Sequence, residues 1–392
     1  MIAIVTGMIA TYPLGGVVWD YGQTAVGLER LGFDVYYLED TGRPMYDPRL
    51  QLYVDDGHAG AAYLAGALAA LSPTLGRRWH LRAADGRCFG IAADEWARTV
   101  ARADLLLNVS GGTLLRDPLM RCPRKVLVDT DPGWNHFRNY PRADADPSWG
   151  GGKGWRAHDF FFTYAEAIGR ADCLLPTLGV RWQTTRPPVL IDRWQAAAPG
   201  RTWTTVLTWK NFAETIEHDG VRYGTKELEF AHVETLPSRV AAPLEIAVGG
   251  DYASSRRPGR PDWELHGWRV VAADTISATA DDYRGYIEGS RGEFSVAKNV
   301  YVATRSGWFS CRTVCYLAAG RPAVVQDTGF AADIATGDGL IAFSTVDEAA
   351  AAIDRVESDY ARHQAAARRV AVEHFDAARV LGLLLQQVGI DR

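Results

Sequence analysis

Short apolar runs alternate with helix-spaced segments along most of this chain. IAIVTGMIA (residues 2–10) is the first run, and the turn-rich YPLGGVVWD (12–20) follows it. In YGQTAVGLERLG (21–32) the apolar residues recur at helical spacing, with Gly32 placed as a cap, and FDVYYLED (33–40) predicts the next strand. Strand, loop, helix, strand in this order is how a parallel Rossmann-like sheet begins. ADLLLNVS (103–110), KVLVDTD (125–131) and ADCLLP (171–176) predict further strands, while 59–71, 94–103 and 161–169 read as helices. The loop at 131–155 is rich in Gly, Pro, Asp and aromatics, and its length marks it as functional rather than a plain connection.

Near 186–203 the composition shifts to Pro, Ala and Gly, which places an interdomain linker there. The α/β pattern then restarts, with strands expected at 204–209, 244–250, 268–273, 299–304 and 323–328 and a helix over 224–237. The expected organisation is one α/β domain over 1–195, a second over 200–370, and a C-terminal helix over 371–392 that covers the junction of the two.

The densest signal is GWFSCRTVCYLAAGRPAVVQDTG (307–329). SGWFS turns the chain after a strand expected at 299–306. CRTVCYLAAG makes about three turns of helix ending at Gly320, and RPAVVQDTG enters the next strand. Loop 306–310 is thus expected between the carboxyl end of a strand and the amino end of a helix, where free amides and the helix dipole favour an anion. Ser306, Gly307 and Ser310 would let phosphate oxygens approach, and Asp327, Thr328 and Gly329 would meet sugar hydroxyls on the same edge.

The SGWFSCR…YLAAGRPAVVQDTGF arrangement resembles the donor-binding half of GT-B glycosyltransferases. YPLGGVVWDYGQTAVGLERLGFDV is similar to the P-x-x-GG…L-x-x-x-G-H-x-V opening of that superfamily. The resemblance implies two Rossmann-like parallel-sheet domains facing a cleft, with a nucleoside-diphosphate sugar on the second and a small-molecule acceptor on the first. No metal or organic cofactor is required. A basic residue after the first strand of the second domain, Lys210, would meet the diphosphate with Arg305, Arg312 and the amides of Gly307, Trp308, Phe309 and Ser310. Gly307 and Cys315 stand where one retaining branch has glutamates, so the anomeric outcome is left open.

Transfer to an acceptor also calls for a base in the inverting case. The candidates are Asp20, His136 and His158, the last followed by Asp159, while Gly15, Gly16, Asp131 and Trp134 are expected near the acceptor. Asp129-Thr130-Asp131 offers a competing reading as a metal-binding D-x-D, although that leaves the second α/β series unexplained. A nucleotide-sugar epimerase of the same fold and a non-catalytic sugar-nucleotide binder remain alternatives. A dinucleotide-binding dehydrogenase is disfavoured, because GMIATYPLGG lacks the required glycine spacing.

Composition narrows the class further. At 392 residues with 47% hydrophobic and 23% charged content, the chain has the balance of a globular two-domain protein. A net charge of -5 gives no electrostatic case for nucleic acid or an anionic membrane. Five scattered cysteines and a start with no basic leader predict a reduced cytoplasmic protein without a membrane span. The 13 tryptophans are numerous, and those in loops, such as Trp134, Trp149 and Trp308, suit stacking on a sugar or planar acceptor.

Overall fold

The computed structural model describes residues 1–50, 52–209, 215–249 and 262–391. They form two compact units: Met1–Tyr164 with Thr177–Pro188 and Ala377–Arg392, and Ala165–Pro176 with Val189–Asp376. The chain passes between the units after residues 164, 176 and 188, the last within the 186–203 stretch, and residues 165–176 go with the second unit.

The first unit opens with β1 (Ile2–Thr6), α1 (Gly15–Arg30) and β2 (Asp34–Glu39), then a small hairpin, β3 (Met45–Asp47) and β4 (Leu52–Val54). α2 (His58–Leu71), β5 (Trp79–Arg82), β6 (Cys88–Gly90), α3 (Ala93–Ala101), β7 (Leu105–Val109) and β8 (Lys125–Asp129) follow. α4 (Tyr140–Ala145), β9 (Phe160–Thr163) and β10 (Gln183–Thr184) complete this part of the unit. Among the described residues the sheet has eight strands in the order β10-β9-β8-β7-β1-β2-β5-β6, parallel except for the β5–β6 pair. β7 and β8 are buried along their whole length, as strands covered on both faces must be, which is why they read as apolar runs. Strand order reverses between β1 and β7, and that is where an open α/β sheet forms its ligand crevice.

The second unit begins with β11 (Trp203–Thr208), the hairpin β12 (Ile216–His218) and β13 (Val221–Tyr223), and α5 (Lys226–Phe230). Next come β14 (Leu244–Gly249), β15 (Arg269–Ala272), α6 (Ala273–Ile276), α7 (Ala280–Glu288) and β16 (Gly292–Ser295). α8 (Asn299–Ala303), α9 (Cys311–Ala318), β17 (Ala323–Gln326), β18 (Leu340–Phe343), α10 (Val346–Ser358) and α11 (Tyr360–Phe375) end it. Its described sheet is fully parallel in the order β15-β14-β11-β16-β17-β18, with the reversal between β11 and β16. Trp203, Phe230, Trp263, Trp268, Phe294 and Phe343 form the centre of its core. The last helix, α12 (Ala377–Gln387), belongs to the first unit and packs on α1, where a Cβ on Gly27 would come within 2.5 Å of Leu381.

Three expectations are corrected. α1 starts at Gly15, so Gly15, Gly16 and Asp20 are helical rather than in a loop. Residues 160–163 form β9 whereas 171–176 have no regular structure; FFFT has the aromatic and β-branched character that a pleated, half-buried surface selects. Residues 299–303 are a helix, not a strand. The Asn299 and Val300 amides donate to Thr225 and Gly224 carbonyls, and this docking outweighs the β propensity of Val and Tyr. The strand preceding loop 306–310 in the sheet is β16, separated from it by α8. Among the described residues, no helix is long and apolar enough to cross a membrane.

Candidate functional site

The carboxyl ends of β11 and β16 border the crevice of the second unit, and α9 begins beside them. Ser310 caps α9: its Oγ accepts from the Arg312 amide at 3.2 Å. Loop 306–310 reaches the sheet edge through the turn after β17, because the Gly307 amide donates to Thr328 O (2.8 Å) and Thr328 Oγ1 donates to Trp308 O (2.6 Å). Ser306 Oγ accepts from the Trp308 amide at 3.2 Å, and Asp327 Oδ1 accepts from the Gly329 amide at 2.8 Å. Predicted residues 306–310 and 327–329 are therefore one assembly. Below it, Ser295, Trp308, Ser310, Gln326 and Thr328 line a cavity of about 20 Å³, room for a single water.

The backbone itself requires glycine at 307. Its φ is +74°, and a Cβ would sit 2.8 Å from the Ala167 amide nitrogen, so the position is reserved by backbone packing. Phe309 is buried, stacked on Phe375 at 4.8 Å, and Trp308 stacks on Tyr301 at 4.3 Å. Arg305, at φ +50°, is exposed and pairs with Asp172 at 3.2 Å.

Arg312 does not serve as a free phosphate ligand. Its Nε donates to Glu293 Oε1 and its NH1 to Val206 O, both at 2.6 Å, and its NH2 meets Ser295 Oγ. It ties β11 to β16 beneath the crevice. Lys210, the other expected cation, lies outside the described residues.

The structure supplies instead a lysine that the sequence reading passed over. Lys226 is the first residue of α5 and is 9% exposed; its ammonium makes no hydrogen bond or ion pair among the described residues. It lies in the field of Arg312, Lys298, Glu293 and Cys311. Burial, then repulsion by Arg312 and Lys298, hold its pKa well below the ordinary lysine value despite Glu293. Glu293 is fully buried and its Oε2 has no partner among the described residues. Lys226 thus lies in the field of two other basic side chains and one carboxylate near the amino end of α9. The only sequence signal was YGTKELEF, a lysine one residue after a Thr cap, and it reads as an ordinary helix start.

Behind Lys226, α5 is fixed by Glu229. Its Oε1 accepts from Asn299 Nδ2 (2.7 Å) and its Oε2 from Gln326 Nε2 (2.5 Å), while Gln326 Oε1 accepts from the Ala297 amide (3.1 Å). Helix α5, the loop after β16 and the end of β17 are thereby held in one geometry. A larger open depression of about 530 Å³ lies by Gly320 at the other end of α9, lined by Ala196, Gln364, Val372 and the charged Arg368, Arg369 and Glu373, away from the carboxyl ends of the strands.

In the first unit two of the expected bases, His158 and His136, are buried among protein partners. His158 is buried, with Nδ1 donating to Trp155 O (2.7 Å) and Nε2 accepting from Asn108 Nδ2 (3.1 Å). Burial pushes its pKa down to about 4. Its neighbour Asp159 pairs with Lys125 at 2.7 Å rather than with the imidazole. His136 is fully buried, 3.1 Å from Asp129 and packed on Trp182. Asp129 also accepts from Asn135 Nδ2 (2.5 Å) and Thr163 Oγ1 (3.2 Å), so the first carboxylate of Asp129-Thr130-Asp131 is occupied by three protein donors. Asp131 and Asp20 are half-buried, and Trp134 is buried under Arg138. Among the described residues, no group of three or more His, Cys, Asp or Glu side chains is placed to hold a metal.

No protein-family model matches the sequence, and no curated protein matches it. The fold is similar to that of an alpha-glucosyltransferase solved with UDP and a 13-mer DNA containing an HMU base, with TM-score 0.53, 10% identity and 99% of each chain covered. An alpha-glucosyltransferase solved with UDP aligns with TM-score 0.51 and 11% identity, again over 99% of each chain. AviGT4, a glycosyltransferase involved in avilamycin A biosynthesis, aligns at 0.49 with 13% identity over 99% of this chain and 96% of its own. At these identities the first two matches speak for the fold: α/β, of the GT-B type, with two Rossmann-like parallel-sheet units.

Proposed function

We propose that the chain is a glycosyltransferase that takes its sugar from a nucleoside-diphosphate donor held on the second unit, without a metal, and passes it to a small-molecule acceptor. The observation that carries this is the Lys226, Lys298, Arg312 and Glu293 cluster at the amino end of α9. Arg312 is matched by Glu293, while buried Lys226 has no hydrogen bond or ion pair among the described residues and would be held charged by a bound anion. A departing diphosphate needs that charge, and in most of its surroundings a divalent cation would supply it. The Ser310-capped amides of α9 add a dipole of the same sign. Two relatives in fold were solved with UDP, which agrees in class with such a donor.

Cys315, buried with its thiol against Cys311 O, stands where an acid would contact the sugar in one retaining branch, and Gly307 stands at the other such position. This favours, as a second reading, a sugar-nucleotide binder without turnover; the epimerase alternative shares the same nucleotide site. Thermal unfolding with UDP, dTDP, GDP, ADP and NAD, with and without magnesium, tests the donor site. A ligand at a hundred times its Kd adds about 2.7 kcal/mol. Stabilisation by one nucleoside diphosphate without magnesium is expected, and a flat response to all of them rejects the proposal. Product analysis with the corresponding nucleotide sugar then separates transfer from epimerisation and from binding alone.

A further inference from the structure

We infer that the first unit carries, on the β3–β4 hairpin and the loop after β1, an aromatic corner that takes a neutral planar ring; naming that ring as part of the acceptor rests on the transferase reading above. Tyr46 and Tyr53 are directly opposite in the hairpin register, with ring centroids 5.4 Å apart and planes at 56°. Tyr12, in the loop after β1, meets Tyr53 edge-on at 6.5 Å and 84°. The two segments are tied together, since the Tyr46 amide donates to Thr11 O at 3.0 Å. They leave the carboxyl ends of β1 and β2, the edge at which open α/β sheets take ligands.

The corner is held before any ligand arrives. Met45 is 1% exposed beneath it, and buried Glu39 accepts from the Ala10 and Thr11 amides at 2.8 and 2.6 Å. Tyr53 itself is 62% exposed, and Leu50 and Leu52 of the same hairpin are 60% and 62% exposed. Such exposure on a fixed support marks a binding surface rather than slack packing.

Charge and shape choose the occupant. Residues 43–56 carry Arg43 and Arg49 against Asp47, Asp55 and Asp56, and Arg49 is held by Asp47 at 2.9 Å. Asp56 in turn pairs with Arg87 at 3.3 Å, so the stretch has no surplus of cations for phosphate, which argues against an anionic membrane or a nucleic acid. Strands of three residues offer too short an edge to pair with a protein strand. Rings set at 56° and 84° form a corner with one face and one edge, which suits the edge-to-face and offset contacts of a single planar ring system.

The test uses the full chain and two uncharged probes, the planar 4-methylumbelliferone and the non-planar methyl glucoside, with binding followed by calorimetry. The expected result is binding of the planar probe alone, weakened about tenfold in Y53A and more in Y12A/Y53A, and unchanged in L265S, which alters an 81% exposed leucine in the second unit. UDP-induced stabilisation, read in the same variants, should stay intact. Planar-probe binding that Y53A leaves unchanged would overturn the inference, as would no binding of that probe. Sedimentation with neutral phosphatidylcholine vesicles that Y53A abolishes would also overturn it in favour of a lipid surface. Loss of the UDP response in wild type would reject the donor proposal and leave the corner standing.

Discussion

Arg312 Nε and Glu293 Oε1 lie 2.6 Å apart in a pair that is almost wholly enclosed, and Lys226 stands in the same field with no hydrogen bond of its own among the described residues. The three side chains divide the work. Arg312 and Glu293 hold β11 and β16 in register beneath the crevice, while Lys226 would meet the proposed diphosphate. Burying an unpaired ammonium costs folding free energy, and a bound diphosphate would offset that cost.

Replacing Lys226 by Met should therefore raise stability and lower nucleotide affinity together. Removing a buried, uncompensated charge in favour of a hydrophobe of similar length stabilises by about 1 kcal/mol or more. The sign with pH follows from the depressed pKa. Between that pKa and the ordinary lysine value the unfolded chain holds a proton that the folded chain lacks, so wild-type stability rises with pH there. The gap between K226M and wild type should then narrow as pH approaches 10. Urea unfolding at pH 7 and pH 9.5, with and without UDP, checks both halves, and a K226M protein that keeps its UDP response would remove Lys226 from the site.

Arg312→Met should act in the opposite sense. It leaves Glu293 buried without the arginine it pairs with, which costs about 3–5 kcal/mol. The double variant R312M/E293M should recover most of that loss. Equilibrium unfolding of the single and double variants measures it.

Glu39 should give the first unit a pH dependence near neutrality. Burial pushes its pKa up to about 7, against hydrogen bonds from Thr11, Ala10 and Tyr37. The folded chain holds the proton longer than the unfolded one, so this contribution is complete below about pH 4.5 and is lost as pH rises through 7. At 1.36 kcal/mol per unit the change is on the order of a few kcal/mol. Stability compared at pH 5 and pH 8 should show the fall, and E39Q should flatten it.

His158 should be silent in the pH–rate profile. With its pKa near 4 and both ring nitrogens engaged, it stays neutral at working pH. H158N should lower the melting temperature yet leave any activity limb between pH 6 and 8 in place. Displacement of that limb in H158N would restore it as a candidate base.

The sequence showed much of the fold because parallel strands buried on both faces leave uninterrupted apolar runs, as at 105–109, 125–129 and 244–249. It misled at 299–303, where Val and Tyr suggested a strand and docking of the Asn299 and Val300 amides on residues 224–225 made a helix. The helix starting at Cys311 was legible because its spacing and its Gly320 end are local signals. Lys226 was not, since its burial depends on α8 and α9, more than seventy residues away, and no local pattern announces an isolated charge. The burial of His136 and His158 was not legible for the same reason: it depends on Tyr140, Trp155 and Trp182, which close the aromatic loop into a small core.

Helix α12 has a consequence for synthesis. The first unit is assembled from residues 1–164, 177–188 and 377–391, whereas the second draws almost entirely on one continuous span. As the chain leaves the ribosome, the second unit has all its parts while the surface of α1 around Gly27 still waits for Leu381. The unit begun first would be finished last, and until then its exposed helix face would be the segment most in need of a chaperone.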